Sequence, residues 1–387
     1  MDGPQAMRRA LVLARRGLGN TWPNPAVGCV LVHGARVVGE GWTQPGGRPH
    51  AETVALDEAG RGARGATAYV TLEPCAHTGK TPPCAIALAE AGVARVVIAL
   101  EDPDPRVSGG GRRILQRAGI AVDEGLMTRE AAELNAGFLS RVRRHRPWVT
   151  LKLASTLDGR IALASGESRW ITGEAARRFA HQLRAEADAV LVGAGTARAD
   201  DPMLDVRHGI DDPRPPVRIV ADPRLTLPVD SRLARSARDQ PVWALYGAAA
   251  PAGNAELLAD LGVRPIECAL EAGGALDLGA AIRRMGEEGL TRVLCEGGGK
   301  LAAELIRAGL IDELVLLTAG KVIGGDGIPN MGPLGLDRLA DAPQFEIAES
   351  RVIGSDLMSR WVAPDSRAAI LAPRATAARG RPRLKRA

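Results

Sequence analysis

Aromatic side chains are scarce in this 387-residue chain: Phe, Tyr and Trp together make up 3%. Its cores must therefore rest on Val, Leu, Ile and Ala. No run approaches the roughly 18 consecutive apolar residues of a membrane span, so neither a transmembrane helix nor a membrane partner is expected. The amino terminus, MDGPQAMRRALVLARRGLG, scatters arginines through a short amphipathic pattern. A secretory leader would instead separate its charges from an apolar stretch and add a small-residue cleavage site, so a cytoplasmic location is expected. Cysteine is also sparse. The five cysteines are odd in number and widely spread, which argues against a disulfide framework. Cys29, Cys268 and Cys295 are expected to be small buried hydrophobes. Cys75 and Cys84 differ, because they bracket a polar, Pro-rich loop.

Acidic residues are absent from 366–387, which holds seven bases: Arg367, Arg374, Arg379, Arg381, Arg383, Lys385 and Arg386. Removing those seven charges from the net +5 leaves about −2 for everything before. The folded part is nearly neutral, and no nucleic-acid partner is expected of it. The tail, 365–387, has little to bury and reads as a disordered Arg-rich segment.

The hydrophobic fraction of 45% and charged fraction of 25% suit an ordinary globular protein. The length suggests two or three domains. In the first part, helical patterns at 5–18, from His50, at 85–92, 112–119 and 128–145 alternate with strand patterns at 27–42 (a hairpin), 66–73 and 95–100. RVRRHRP (141–147) closes this region, and a new strand pattern starts at WVTLKLA. The second part again mixes strands (148–154, 188–192, 217–221, 241–246, 291–295, 312–318) with helices (173–186, 254–261, 278–288, 299–308). The fold class is α/β, in two domains over 1–146 and 147–364.

The sharpest chemical signal is His50-Ala51-Glu52 followed by Pro74-Cys75 and then Cys84. One imidazole and two thiolates suit zinc and leave its fourth tetrahedral position to water, whose pKa such an ion lowers toward neutrality. A carboxylate two residues from the histidine, at a helix start, can move protons without binding the metal. Zinc deaminases divide the labour this way, with H-x-E followed by P-C-x-x-C. Here eight residues, AHTGKTPP, separate the cysteines instead of two. A closed structural site with His77 as fourth ligand is the alternative, and it leaves Glu52 without a purpose.

With that spacing, H-A-E and E-P-C-x-H-x-G-K-T-P-P-C resemble the deaminase half of the bifunctional riboflavin-biosynthesis proteins, as does the upstream N-P-x-V-G-C-V starting at Asn24. The resemblance implies a cytidine-deaminase-like α/β/α layer fold. It also implies hydrolysis of the 2-amino group of 2,5-diamino-6-(5-phosphoribosylamino)pyrimidin-4-one. His50, Cys75 and Cys84 would bind one zinc per chain, and Glu52 would shuttle protons. His77 and Lys80 would face the substrate's phosphate, Asn24 the pyrimidine, and Asp102 and Asp104 the ribose. The family more often has Asn at the last of these positions.

In the second half, VGAGTAR (192–198) is a partial dinucleotide fingerprint with Arg198 in place of the third glycine and no clear helix after it. EGGGK (296–300) lies between a strand and a helix, where backbone amides favour phosphate; a plain flexible turn is the alternative. Taken in order, LKLASTLDGRIA (151–162), SRWITG (168–173), GAGTARADDPMLDVR (193–207) and CEGGGKLAAEL (295–305) resemble the reductase half of the same family. That implies a dihydrofolate-reductase-like α/β fold and NADPH as cofactor. The cofactor would lie against Ala154, Trp170, Thr196 and Asp200, with its phosphates near Gly298, Gly299 and Lys300. Pro223 stands where some members have a cofactor-binding serine. The substrate would meet Lys152, Ser168, Arg184, Leu204, Arg207 and Glu296, the two guanidiniums gripping its phosphate. Lys152 and Asp200 are candidates to supply the proton that accompanies the hydride, with water as their rival. The family implies phosphorylated pyrimidine partners and a homo-oligomer.

Two other readings compete. A nucleoside or tRNA deaminase with an unrelated C-terminal domain would want a positive surface, which the near-neutral folded part does not offer. A zinc-stabilised nucleic-acid-binding protein would use the tail but explains neither Glu52 nor the second half.

Overall fold

The computed structural model describes residues 1–77, 82–104, 107–210 and 214–372. Among them the strands form two main sheets, one in each half of the chain. Lys80 and the tail beyond 372 lie outside the described residues.

The first sheet runs β2-β1-β3-β4-β5, from β1 (Gly28–His33), β2 (Arg36–Trp42), β3 (Thr67–Val70), β4 (Arg95–Ile98) and β5 (Ala121–Glu124). β1 pairs antiparallel with β2 and β3, whereas β3, β4 and β5 are parallel. β1 is buried along five consecutive residues, GCVLV, so both its faces are covered. Helix α1 (Gly3–Arg15) packs on β1. Its start is fixed by a reciprocal cap: Asp2 accepts the Gln5 N–H, and the Gln5 side chain accepts the Asp2 N–H. Helices α2 (Ala51–Ala59), α3 (Cys84–Glu90) and α4 (Gly110–Arg117) follow, with α2 against β2 and β1. Gly41 permits that contact, because a Cβ there would meet the Ala51 carbonyl at 2.2 Å.

The long helix expected over 128–145 is two helices, α5 (Thr128–Leu134) and α6 (Ala136–Arg144). They break at Asn135, whose buried amide donates to the Ala26 carbonyl and accepts its N–H, both at 3.0 Å. A side chain that pairs with backbone competes with the helix around it.

The second sheet has the order β11-β10-β9-β8-β12-β6-β13-β16-β15. Its strands are β6 (Trp148–Thr156), β8 (Ala189–Gly193), β9 (Val217–Ala221), β10 (Val242–Tyr246), β11 (Arg264–Glu267), β12 (Arg292–Cys295), β13 (Glu313–Ala319), β15 (Glu346–Ile353) and β16 (Asp356–Val362). A short ribbon, β7 (Arg160–Ala162) with β14 (Ile328–Pro329), stands beside it. From β11 to β13 the strands are parallel; β16 and β15 are antiparallel. The helices here are α7 (Glu174–Ala185), α8 (Ala194–Asp200), α9 (Arg232–Arg235), α10 (Ala252–Asp260), α11 (Leu278–Glu287) and α12 (Gly299–Arg307). α8 starts inside the partial fingerprint, at Ala194, and ends two residues beyond Arg198; at seven residues it is too short for an apolar period to register.

Nor does 365–387 begin as a tail. Residues Pro364–Leu371 form α13, which buries Ser366 and Ile370 against the first half. Ser366 Oγ donates to Asp312 Oδ1 at 2.6 Å. Asp312, fully buried, also takes Arg144 Nη1 at 2.7 Å and both Arg146 terminal nitrogens at 2.7 Å. This cluster ties α6 and α13 to the start of β13.

Arg292 adds a second tie. From β12 it donates to the Glu133 and Leu134 carbonyls at the end of α5, where a cation is favoured. The apolar core of the first half accordingly includes Trp148, Val362 and Ile370. No helix among the described residues is long and apolar enough to cross a membrane.

Candidate active sites

The donor cluster is assembled from two helix starts and one loop. His50 is the N-cap residue of α2, Glu52 lies in that helix's first turn, and Cys84 opens α3. Cys75 sits in the loop after β3, where the Cys84 N–H donates to its sulfur at 3.2 Å. Glu73 anchors that loop: its buried carboxylate accepts N–H groups from Asp102, Gly109 and Arg112 at 3.4, 2.9 and 3.1 Å. The sequence pattern alone assigns Glu73 no role. Its signal was a carboxylate in an otherwise apolar strand end.

His50 Nδ1 lies 3.2 Å from Cys84 Sγ and 3.7 Å from Cys75 Sγ, and the three ligand atoms fall within 4.8 Å of one another. A tetrahedral zinc with Zn–N near 2.0 Å and Zn–S near 2.3 Å implies edges of about 3.5–3.8 Å, so the spacing fits. His77, the candidate fourth ligand, is exposed, and no fourth donor joins the cluster among the described residues.

The electrostatics of the donor set suit a divalent cation. Hydrogen bonding from the Cys84 thiol and from His50, against the cost of burial, pulls Cys75 down to about 4, while the Cys75 thiolate and burial push Cys84 upward. Two neighbouring thiolates repel each other, and a divalent ion between them relieves that repulsion. Glu52 is 3% exposed, and burial, then the Cys75 charge, raises its carboxyl to about 7.

Around this cluster, Asp102 is buried and its carboxyl is raised to about 7 by burial; its Oδ1 accepts the Asp104 N–H at 2.8 Å. Asp104 is half-buried. Asn24 packs against Gly47, in the loop leading to His50.

The second site is a cavity of about 990 Å³ above the carboxyl ends of β6, β8 and β12. Lys152, Ala154, Ser168, Trp170, Arg184 and Thr196 all line it. So do Asp200, Leu204, Arg207, Glu296, Gly298 and Gly299. Gly298, the N-cap of α12, donates its N–H to Thr196 Oγ1 at 3.1 Å, which brings the two glycine segments together.

Two expected residues do not line the cavity. Pro223 sits in the turn after β9, where its carbonyl accepts the Gly247 N–H at 3.0 Å. Lys300 is exposed on the first turn of α12. Arg177, His181 and Asn330, which the sequence motifs do not single out, also line it. Arg177 and His181 stand seven and three residues before Arg184 on α7, a polar stripe at helical spacing that could have revealed them.

Arg184 is not free to grip a phosphate with its whole fork. Its Nε and Nη2 donate to Glu296 at 2.5 and 3.1 Å, and Nη1 donates to the Asp205 carbonyl at 2.8 Å. Lys152 Nζ reaches Glu296 Oε2 at 3.1 Å. Burial opposes the charge on Glu296, but Lys152 and Arg184 outweigh it and hold the carboxyl well below the usual carboxylate range. A carboxylate has about four acceptor positions, so one remains open on Oε1. Trp170 is 62% exposed at the cavity mouth, with the Arg177 guanidinium 4.5 Å from its ring centroid.

The same two regions are matched by family models. Residues 2–100 match the cytidine and deoxycytidylate deaminase zinc-binding region, and residues 147–359 match the RibD C-terminal domain. The riboflavin biosynthesis protein RibD of Escherichia coli is 44% identical over 92% of this chain and 98% of its own length. The Aquifex aeolicus protein of the same name is 38% identical over 91% and 96%. The chain belongs to the RibD family. RibD from Acinetobacter baumannii superposes with a TM-score of 0.83 at 40% identity, covering 93% of this chain and 98% of that one. A Thermotoga maritima structure titled a diaminohydroxyphosphoribosylaminopyrimidine deaminase/5-amino-6-(5-phosphoribosylamino)uracil reductase gives 0.80 at 34% identity, covering 93% and 98%. This RibD-family chain is thus a two-domain α/β enzyme of riboflavin biosynthesis, a cytidine-deaminase-like zinc deaminase followed by a reductase.

Proposed function

We propose that the first domain hydrolyses the 2-amino group of 2,5-diamino-6-(5-phosphoribosylamino)pyrimidin-4-one. The second then reduces the ribosyl group of 5-amino-6-(5-phosphoribosylamino)uracil to ribityl. The observation that carries the first step is a three-donor cluster of His50, Cys75 and Cys84 with the buried Glu52 beside it. When bound, zinc supplies the Lewis acidity that makes water nucleophilic at neutral pH. Glu52 takes the proton from the attacking water as the C–O bond forms, then delivers it to the amine as the C–N bond breaks and ammonia leaves. Asn24 serves the pyrimidine, Asp102 and Asp104 the ribose, and His77 with Lys80 the phosphate.

In the second domain, NADPH, the cofactor of this family's reductase half, supplies the hydride when bound. Ala154, Trp170, Thr196 and Asp200 would hold it, and the start of α12 at Gly298 and Gly299 would receive its phosphates. Glu296 accepts a pyrimidine N–H on its open position, while Lys152 and Arg184 keep it ionised and aimed. The exposed Arg207 takes the phosphate, with Ser168 and Leu204 beside the sugar. Lys152 or Asp200 supplies the accompanying proton. The protein acts in the cytoplasm as an assembly of identical subunits. Self-association is supported by β15, which lies at the edge of the second sheet with Ile347 and Val352 exposed.

Incubation with the diaminopyrimidine phosphate tests the whole reading. Ammonia is expected without NADPH, and loss of cofactor absorbance only once both are present. Cofactor oxidation with no ammonia release would overturn the assigned order.

A further inference from the structure

His181 lies on α7, three residues before Arg184, and is 7% exposed. Its ring lines the large cavity, and its Nδ1 accepts the Arg207 backbone N–H at 3.0 Å. An imidazole nitrogen that accepts an N–H carries no proton, so the neutral ring keeps its hydrogen on Nε2. The His208 ring packs against it, with centroids 4.6 Å apart. The segment so held is unusual backbone: Leu204 has φ +52° and His208 φ +66°. Side chains other than glycine adopt that region only when the surroundings impose it. Leu204 and Arg207, both cavity residues, ride on this segment.

We propose that His181 is a positioning residue of the reductase, fixing the Leu204–His208 segment so that Arg207 presents its side chain to the substrate's phosphate. The idea rests on the reading of this cavity as the reductase site. The ring's neutrality is consistent with the role. Burial, then Arg184, His208 and Arg207, lower His181 to about 4 against the opposing pull of Glu296. A protonated ring would have no acceptor left for the Arg207 N–H.

The test compares His181→Leu, which fills the space without an acceptor, with His181→Asn, whose amide oxygen can take the place of Nδ1. His181→Leu is expected to raise KM for the aminouracil phosphate about tenfold, the worth of one partly buried hydrogen bond. KM for NADPH and kcat should stay within about twofold, and His181→Asn should recover most of the loss. Ammonia release from the first domain reports that the variants are folded. Equal rises in both KM values, or no rescue by His181→Asn, would show a merely structural histidine and overturn the proposal. Glu296→Gln separates the two levels. If it weakens substrate binding while His181→Leu does not, only the positioning role falls; if it too leaves binding unchanged, the cavity assignment falls as well.

Discussion

The two sites are built on opposite plans. The zinc cluster takes its donors from residues 50–84, on two helix starts and one loop, and each donor is chemically specialised. The reductase cavity draws on residues 152–330, and most of its lining is ordinary in type. A local site depends on what its few residues are. A distributed one depends on where the sheet puts many residues, so its residues are more exchangeable singly and more exposed to damage at a distance.

The largest effect should come from the local site. Glu52→Gln is expected to lower the deamination rate by about 10²–10⁴-fold while one zinc per chain remains by metal analysis. Reduction by the same variant should be unchanged; a parallel fall there would break the comparison.

Glu296→Gln probes the one residue of the cavity that behaves like the local site. It leaves Lys152 and Arg184 facing each other in a buried pocket, a cost of about 3–5 kcal/mol. The sign with pH is defined. The Glu296 carboxyl is held below its ordinary value, so its stabilisation is complete above the unfolded carboxylate pKa of about 4.3 and fades as pH falls through the folded value. Urea melts should therefore show a wide gap between wild type and variant at pH 7 that narrows in the acid range below about 4. A gap that grows on acidification would contradict the pairing.

Asp312→Asn should cost about 2 kcal/mol through weakened bonds to Arg144 and Arg146. Both activities should then be lost together on heating; deamination surviving the loss of reduction would mean the halves are independent. The smallest effect belongs to the tail. Removing 373–387 should leave both activities intact, whereas removing 366–387 also takes Ser366 and Ile370 from the seam and should lower the melting temperature.

The sequence made the metal donors legible because His, Cys and Glu at those intervals have few other uses. It located most of the cavity's residues only through resemblance to a family. Composition and period could not have singled out Ala154, Leu204 or Thr196, whose contribution is position. Arg184 was legible as a cavity residue, but its commitment to Glu296 was not, because 112 residues separate the partners. The regular strands flanked by helices were readable from their apolar runs. The β15–β16 hairpin was not, since β15 exposes most of its side chains and shows no apolar alternation. The break at Asn135 and the docking of α13 escaped for a related reason: each is decided by a partner remote in the chain, Ala26 and Asp312.

Arg292 begins a four-residue strand that ends beside Glu296, and it grips the last turn of α5 in the other half. A gene split after residue 146 would strip Trp148, Val362 and Ile370 from the first product and leave it with a raw, sticky wall. The two catalysts consequently share one fate. They are made as one polypeptide, so a cell that makes it holds deaminase and reductase in strict parity whatever its rate of expression.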